Sequence, residues 1–461
     1  MKGIDVIPDD VLLAIFDFYM IMSSSYDKTR AEAWQSLVHV CRRWRNLVFQ
    51  SPCRLKLHLF CTPKTPVKDA LDIWPALPLI IKGIMDQSSC TRNVTAALMQ
   101  SNRVCEVDLH LPGSQLEGVL AAMQVSFPVL TELRLFSDGE TPLVIDAIPD
   151  SFLGGSVPHL RILNLKFVLF PGLQKLLMSA THLVDMFLYD IPHSGYISPE
   201  AMVAVISVSS SLETLSLEFR SPQSRPDREN TSLPPPKRSI LPILKRLYFK
   251  GVTEYLEELV TRIDTPQLNQ MDVTLFNQID FDTPRLAQFI NFTPTLRALD
   301  EAHILFHDLT TSVRLRSRTS KSIIYKLLIH ISCIEPDWQL SSIEQVCNSS
   351  LNSLSKVEVL YIEHRYLRLV WKNDAIGNTL WLELLLLFSA VKKLYLSKEF
   401  APSIAANLQE LVEARVTEVL PSLQNIFVEG LEPSRAFHGN IGQFVAARRL
   451  CNHPIAISAW N

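Results

Sequence analysis

Residues 160–165 read Leu-Arg-Ile-Leu-Asn-Leu, and this six-residue pattern decides the fold. Apolar residues occupy its first, fourth and sixth positions, so that the last three residues alternate as in a β-strand with one buried face. The pattern recurs along most of the chain, each occurrence starting 23 to 34 residues after the one before. The other occurrences are Val104/Val107/Leu109, Leu130/Leu133/Leu135, Leu183/Met186/Leu188, Leu212/Leu215/Leu217, Leu244/Leu247/Phe249, Leu268/Met271/Val273, Leu296/Leu299 with Glu301 in the sixth position, Ile324/Leu327/Ile329, Val357/Leu360/Ile362, Val391/Leu394/Leu396 and Leu423/Ile426/Val428.

The stretches between these strands often show helical periodicity, as Leu256, Leu259 and Val260 do. Strands and helices that alternate at such an interval predict a parallel sheet whose repeats stack and cover one another. The array resembles leucine-rich repeats, which occupy roughly 20 to 29 residues each. It is degenerate, since residues such as Asp138 and Val168 stand where that family places asparagine or cysteine. A doubly wound α/β domain is the alternative, but only 14 glycines are present and no glycine-rich turn follows a strand.

The N-terminal stretch Ile7-Pro8-Asp9-Asp10-Val11-Leu12-Leu13-Ala14-Ile15-Phe16 predicts a helix, because proline and acidic residues favour a helix N-terminus. Residues 34–41 and 44–48 predict two more short helices, and Ser51-Pro52 ends the last one. Three short helices cannot bury this much apolar surface alone, so we expect a partner to cover part of it.

This order of proline, leucines, phenylalanine, Val40-Cys41, Trp44 and Ser51-Pro52 resembles an F-box of a fungal-type F-box protein. The resemblance implies binding to a Skp-type adaptor and through it to a cullin. Residues 20–30 lengthen the first loop relative to a compact F-box. The alternative is that these helices only cap the following domain. The adaptor-facing residues that the resemblance implies are Pro8, Leu12, Leu13, Ile15, Phe16, Val40, Cys41, Trp44, Leu47 and Pro52.

The predicted fold class is therefore α/β, with an N-terminal three-helix F-box followed by a leucine-rich-repeat-like α/β solenoid. Residues 1–53 form the F-box-like domain, residues 54–103 a capping or linker region, and residues 104–461 the degenerate solenoid. Within it, residues 221–239 contain a proline triplet and many charges, which predicts a disordered insertion.

Composition restricts the possible functions. The 461 residues are 47% hydrophobic and carry a formal net charge of -3, which lacks the positive field of a nucleic-acid-binding protein. Eight scattered cysteines without a CxxC pair predict free thiols in an intracellular protein of the cytoplasm, the nucleus or both. Neither a signal peptide nor a membrane span is predicted, and no cofactor is expected.

Catalytic motifs are absent: no GxSxG, P-loop or HExxH occurs, and we expect no enzyme activity. His303 and His307 have the i, i+4 spacing at which a helix presents two metal ligands, which leaves a metal-dependent hydrolase as an alternative. A polar patch at a broken repeat explains the same residues more simply, and no metal site is predicted.

The fifth position of each repeat points away from the buried face and would line a binding surface. Exposed aromatic and arginine side chains are typical of protein-binding hot spots. A basic cluster at Arg246 and Lys250 favours an acidic or phosphorylated segment. Together with this surface, the F-box resemblance implies the substrate-recognition subunit of an SCF-type E3 ubiquitin ligase that binds an unknown target protein; the alternative is a leucine-rich-repeat interaction scaffold without a ligase. The predicted substrate-binding residues are Phe187, Tyr189, Arg246, Tyr248, Lys250, Tyr361, Tyr395 and Phe427.

Overall fold

A computed structural model describes most of the chain, which forms two compact units. Unit 1 comprises residues 1–197 and 204–214, and unit 2 comprises residues 198–203 and 215–461. No boundary was predicted inside the solenoid. The described residues are 6–23, 33–50, 56–64, 67–74, 76–84, 88–138, 151–168, 172–223, 238–278, 281–318, 324–333, 336–365, 374–409, 416–430 and 435–460.

Three helices open unit 1, as the sequence predicts: α1 (Asp9–Ser23), α2 (Ala33–Val38) and α3 (Arg42–Gln50). Arg43 ties α3 to the start of α1, since its Nη2 lies 2.5 Å from Asp9 Oδ1 and donates a hydrogen bond to the Ile7 carbonyl. The rings of Phe16 and Trp44 lie 4.7 Å apart between the same two helices. A small helical bundle of this kind is common to many proteins and does not by itself identify an F-box.

Six parallel strands form the sheet of unit 1, in chain order. The first two of these strands lie within residues 54–103, the region predicted as a cap or linker, so that the sheet begins at Leu57. The strands are β1 (Leu57–Phe60), β2 (Leu79–Ile84), β3 (Val104–Leu111), β4 (Glu132–Ser137), β5 (Ile162–Lys166) and β6 (Asp185–Ile191). The helices are α4 (Val67–Ile73), α5 (Ser88–Leu98), α6 (Gly113–Ala122), α7 (Leu173–Leu177) and α8 (Pro199–Ser207), the last with residues in both units.

Unit 2 continues the alternation of strands and helices. Its strands are β7 (Thr214–Phe219), β8 (Ser239–Ile240), β9 (Arg246–Gly251), β10 (Ile263–Asp264), β11 (Gln270–Phe276), β12 (Glu301–Phe306), β13 (Thr310–Arg316), β14 (Leu327–Ser332), β15 (Val359–His364), β16 (Lys393–Leu396), β17 (Asn425–Glu429) and β18 (Ala456–Trp460). Its helices are α9 (Thr253–Arg262), α10 (Pro284–Phe292), α11 (Pro294–Arg297), α12 (Pro336–Ser350), α13 (Asp374–Leu386), α14 (Ala401–Gln409) and α15 (Arg435–Leu450).

The repeat pattern is confirmed by strand register. Leu163 and Leu165 lie directly beside Leu133 and Leu135 on β4, and all four are buried. Such rows of apolar side chains form one continuous core along each sheet, which no single repeat could build. The result is an α/β fold with a long, mainly parallel sheet, consistent with a leucine-rich-repeat-like array. We call the side of the sheet that carries the fifth positions the open face.

One region departs from chain order. The strands there lie in the order β11-β14-β13-β12-β15, and β13 runs antiparallel to both of its neighbours. The repeat predicted at Leu296 is wrong by three residues, because α11 begins at Pro294 and places Leu296 in a helix. Register puts Ala302 and Ile304 beside the apolar pair of β15. His303, and not Asp300, therefore occupies the fifth position of this repeat.

Two further sequence predictions concern the proline-rich insertion and membrane spans. Most of the predicted disordered insertion, residues 224–237, lies outside the described residues. Among the helices that the structure describes, none combines the length and apolarity needed to cross a bilayer.

Candidate functional site

Four rings stack side by side on the open face of unit 2. His303 lies opposite Tyr361, Tyr361 opposite Tyr395, and Tyr395 opposite Phe427 on successive parallel strands. Their ring centroids are 4.2, 4.3 and 4.4 Å apart, with interplanar angles of 5°, 13° and 10°. The distance between neighbouring strands, about 4.8 Å, sets this spacing. We call His303, Tyr361, Tyr395 and Phe427 the aromatic row.

Two further aromatic residues border the aromatic row. The Trp460 ring meets Tyr395 and Tyr361 edge-on, at centroid distances of 5.5 and 5.9 Å. Tyr325 meets His303 edge-on at 5.4 Å, and the Arg316 guanidinium lies 5.6 Å from the Tyr325 ring centroid. The sequence pattern indicates neither residue, because Trp460 follows the last recognised repeat and Tyr325 is the second residue of its repeat, before β14 begins at Leu327.

Charged groups anchor the aromatic row at its buried end. His303 Nε2 lies 2.8 Å from Glu301 Oε1, and His303 Nδ1 lies 3.1 Å from Glu363 Oε1. Arg316 forms a 2.5 Å ion pair with Glu301. The hydrogen bond from His303 lowers the pKa of Glu363, although burial opposes this effect. This network holds Glu363 in its charged form inside the sheet.

The phenol group of Tyr361 remains neutral near physiological pH. Burial, together with the neighbouring Tyr395, raises the pKa of Tyr361 to about 12. Tyr361, Tyr395 and Phe427 are half-exposed, whereas His303 is buried. Half-exposed tyrosines that are held rigidly are typical of protein-binding surfaces.

The structure overturns the helical arrangement of His303 and His307 on which the hydrolase alternative depends. His303 lies in β12, His307 follows the end of that strand, and four residues of extended chain span about 13 Å. Both ring nitrogens of His303 already face carboxylates. Within the described ranges, no group of three histidine, cysteine or acidic side chains is arranged to hold a metal ion.

The other predicted substrate-binding residues lie elsewhere. Phe187 and Tyr189 belong to unit 1, where their rings stack at 5.9 Å. Arg246, Tyr248 and Lys250 lie on β9, which β11, β14, β13 and β12 separate from β15. The structure thus gathers Tyr361, Tyr395 and Phe427 into one surface and leaves the remaining five in two other places.

A second apolar surface lies on α1, and it differs from the predicted one. Leu12, Leu13 and Phe16, predicted to face an adaptor, are buried among the N-terminal residues. The exposed face of the helix, which we call the α1 stripe, is formed by residues at i, i+4, i+7 and i+8 spacing. These are Val11, Ile15, Phe18 and Tyr19.

Of the other predicted adaptor-facing residues, only some are accessible. Pro8, Val40 and Cys41 are exposed, whereas Trp44 and Leu47 are half-buried. Pro52 lies outside the described residues. Ile15 is thus shared by the predicted set and the α1 stripe.

Comparisons with known proteins are sparse. No protein-family model matches the sequence, and no curated protein is significantly similar to it. Among solved structures, the chain is similar to the leucine-rich repeat-containing protein LegL7 from Legionella pneumophila. The two are 13% identical, the match covers 85% of this chain and 97% of that one, and the TM-score is 0.29. A TM-score this low does not establish a common fold.

Proposed function

We propose that this chain is the non-catalytic substrate-recognition subunit of an SCF-type ubiquitin ligase. In this proposal the N-terminal helices bind a Skp-type adaptor, the adaptor recruits a cullin, and the open face of unit 2 binds the target protein. The mechanism is positional, since it raises the effective concentration of a target lysine near a conjugating enzyme. The observation that most supports the proposal is the exposed apolar α1 stripe within the F-box-like sequence.

The α1 stripe supports the adaptor-binding step. Its four side chains are each at least 42% exposed, and Phe18 is 65% exposed. Large apolar side chains that line one helix face are costly to leave in water, and contact with a partner removes that cost. Buried Leu12, Leu13 and Phe16 then support the helix from within rather than touch the adaptor.

The aromatic row supports the target-binding step. It concentrates three half-exposed rings and Trp460 on the open face of unit 2. Its geometry is fixed by backbone register, so binding requires little ordering of side chains.

Co-purification with a Skp-type adaptor and a cullin tests this function. We expect wild-type protein to retain both, and the double variant Ile15→Asp/Phe18→Asp to lose both while keeping its far-UV circular dichroism spectrum. The matched control is the double variant Phe292→Asp/Leu309→Asp, which places the same two charges at apolar side chains of unit 2 that are 74% and 62% exposed. Wild-type protein that retains neither partner would contradict the proposal.

A second candidate is an interaction scaffold that acts without a ligase. The inward orientation of Leu12, Leu13 and Phe16 favours it, because the F-box resemblance assigns these residues to the adaptor interface. A scaffold predicts target binding through the aromatic row with no cullin in the purified complex. Loss of target binding in Tyr395→Ala, in a protein that never retains cullin, would support this second candidate.

A further inference from the structure

A cleft of about 490 Å³ opens in unit 1, beside the turns that lead into β4, β5 and β6. Equivalent positions of successive repeats line it. His159 and His182 directly precede their repeats, and Thr131 and Arg161 occupy the second position of theirs. The cleft is therefore a product of repeat stacking, although no sequence motif indicates it.

The basic side chains of the cleft are uncompensated. His159, Arg161 and His182 are exposed, and in the described part of the chain none of them has an ion pair or a hydrogen bond through its side chain. Among the described residues that line the cleft, none is acidic. The adjoining cleft, which shares Arg161, is lined by two carboxylates, Asp185 and Glu132, and Glu132 pairs with Arg134 at 2.6 Å.

The backbone holds these positions rigidly. The Arg161 N–H donates to the Thr131 carbonyl at 2.8 Å, and the Val184 N–H donates to the Arg161 carbonyl at 2.8 Å. The Arg161 side chain thus projects from a backbone position that is hydrogen-bonded on both sides. Pre-organised donors bind an anion with a smaller loss of conformational entropy than donors on a mobile loop.

The donors and the walls of the cleft indicate the chemistry of the ligand. The arginine fork matches phosphate oxygens bidentately, and imidazole N–H groups donate to an anion whether the ring is neutral or charged. The Ser211 hydroxyl is a further possible donor on the lining. Pro128, Val129 and Val184 form an apolar wall beside these groups.

We propose that this cleft binds a phosphomonoester, with the phosphate on Arg161 and the two histidines and the organic part against the apolar wall. The inference goes beyond the proposed function and does not depend on adaptor binding. The phosphomonoester has two conceivable sources, a phosphorylated side chain of another protein and a small phosphorylated molecule.

The experiment is calorimetric titration of the full chain with phenyl phosphate, inorganic phosphate, phenol, and a phosphotyrosine peptide with its unphosphorylated form. We expect phenyl phosphate to bind more tightly than inorganic phosphate, and phenol not to bind. The variant Arg161→Gln should lower the affinity for phenyl phosphate about tenfold, because it removes a charge-assisted hydrogen bond. His182→Gln serves as a second variant, and Lys68→Gln, an exposed cation on α4, is the matched control.

Tighter binding of the phosphopeptide than of phenyl phosphate would support the proposal and identify a protein ligand. Equal or weaker binding of the phosphopeptide would support it and identify a small molecule. Absence of phenyl phosphate binding, or equal affinity in wild type and Arg161→Gln, would overturn it. Failure of adaptor co-purification would leave this result unaffected, so the two proposals fail independently.

Discussion

Tyr395 is the residue whose removal tests the aromatic row most directly. Its ring stacks on Tyr361 and Phe427 and meets Trp460 edge-on. Each such pair contributes about 0.5–1.5 kcal/mol beyond area burial, so the three contacts together predict that Tyr395→Ala lowers the free energy of unfolding by about 2–4 kcal/mol. Tyr395→Phe keeps the rings and should cost about 1 kcal/mol or less.

Tyr248 provides the matched control, since it is a half-exposed tyrosine on the same open face without a ring contact among the described residues. Urea unfolding measures the overall loss of stability. Hydrogen exchange of peptides that cover β16 and β17 measures the local loss, because a repeat array unfolds in segments. Equal losses in Tyr395→Ala and Tyr248→Ala would refute the stacking argument.

Two other predictions concern pH and glycine. The lowered pKa of Glu363 lies below its ordinary value of 4.5, so its charged form contributes stability that is present above that value and lost as pH falls through the lowered pKa. Between pH 6 and 3, the melting temperature of Glu363→Gln should therefore decrease less than that of wild type. The same dependence of melting temperature on pH in both proteins would contradict the His303 contact. Gly154→Ala should lower the free energy of unfolding by about 1–3 kcal/mol, since φ at Gly154 is 69° and the added Cβ would lie 2.8 Å from the Ser126 Cα. Gly442→Ala in α15 should raise it by about 0.5–1 kcal/mol, because no atom lies within 4 Å of the added Cβ and alanine favours a helix over glycine. Melting temperatures that shift alike in the two alanine variants would contradict this contrast.

The repeats were predictable because burial on one face of a strand imposes a period of two, and stacking imposes a nearly regular interval. Pairs such as Leu133 and Leu163 therefore follow directly from the spacing of apolar residues in the sequence. The same logic placed Tyr361, Tyr395 and Phe427 on one face. Their rings stack because strand register places the three residues directly beside one another on neighbouring parallel strands.

The inserted strand was not predictable in the same way. β13 contains Val313 and Leu315 as its only large apolar residues, so its sequence resembles a loop between two repeats. The repeat at Leu296 misled because a leucine in the short helix α11 has the spacing of a strand position. The local sequence pattern cannot distinguish a leucine in a short helix from a leucine at a strand position. The pairing of β12 with β15 identifies the true repeat.

The N-terminal surface shows a related limit. A helix with apolar residues on most of its circumference has two candidate faces, and the sequence does not say which one faces inward. Packing of Phe16 against Trp44 settles that choice, and it turns Val11 and Phe18 outward. The cleft in unit 1 was missed for a different reason, since its basic side chains come from two successive repeats, His159 and Arg161 from one and His182 from the next.

The reversal at β13 also affects how the chain acquires its fold during synthesis. In the rest of the sheet, each new strand can add to the edge left by the strand before it. β11 instead stays without its next neighbour until β14 has been made, more than fifty residues later. Since β12, β13 and β14 pair as a local antiparallel meander, this piece can form first and then attach as a block. Deletion of β12 or β14 alone would therefore remove one partner of the antiparallel strand β13, whereas deletion of one repeat elsewhere would bring two parallel strands together and preserve the order of the array.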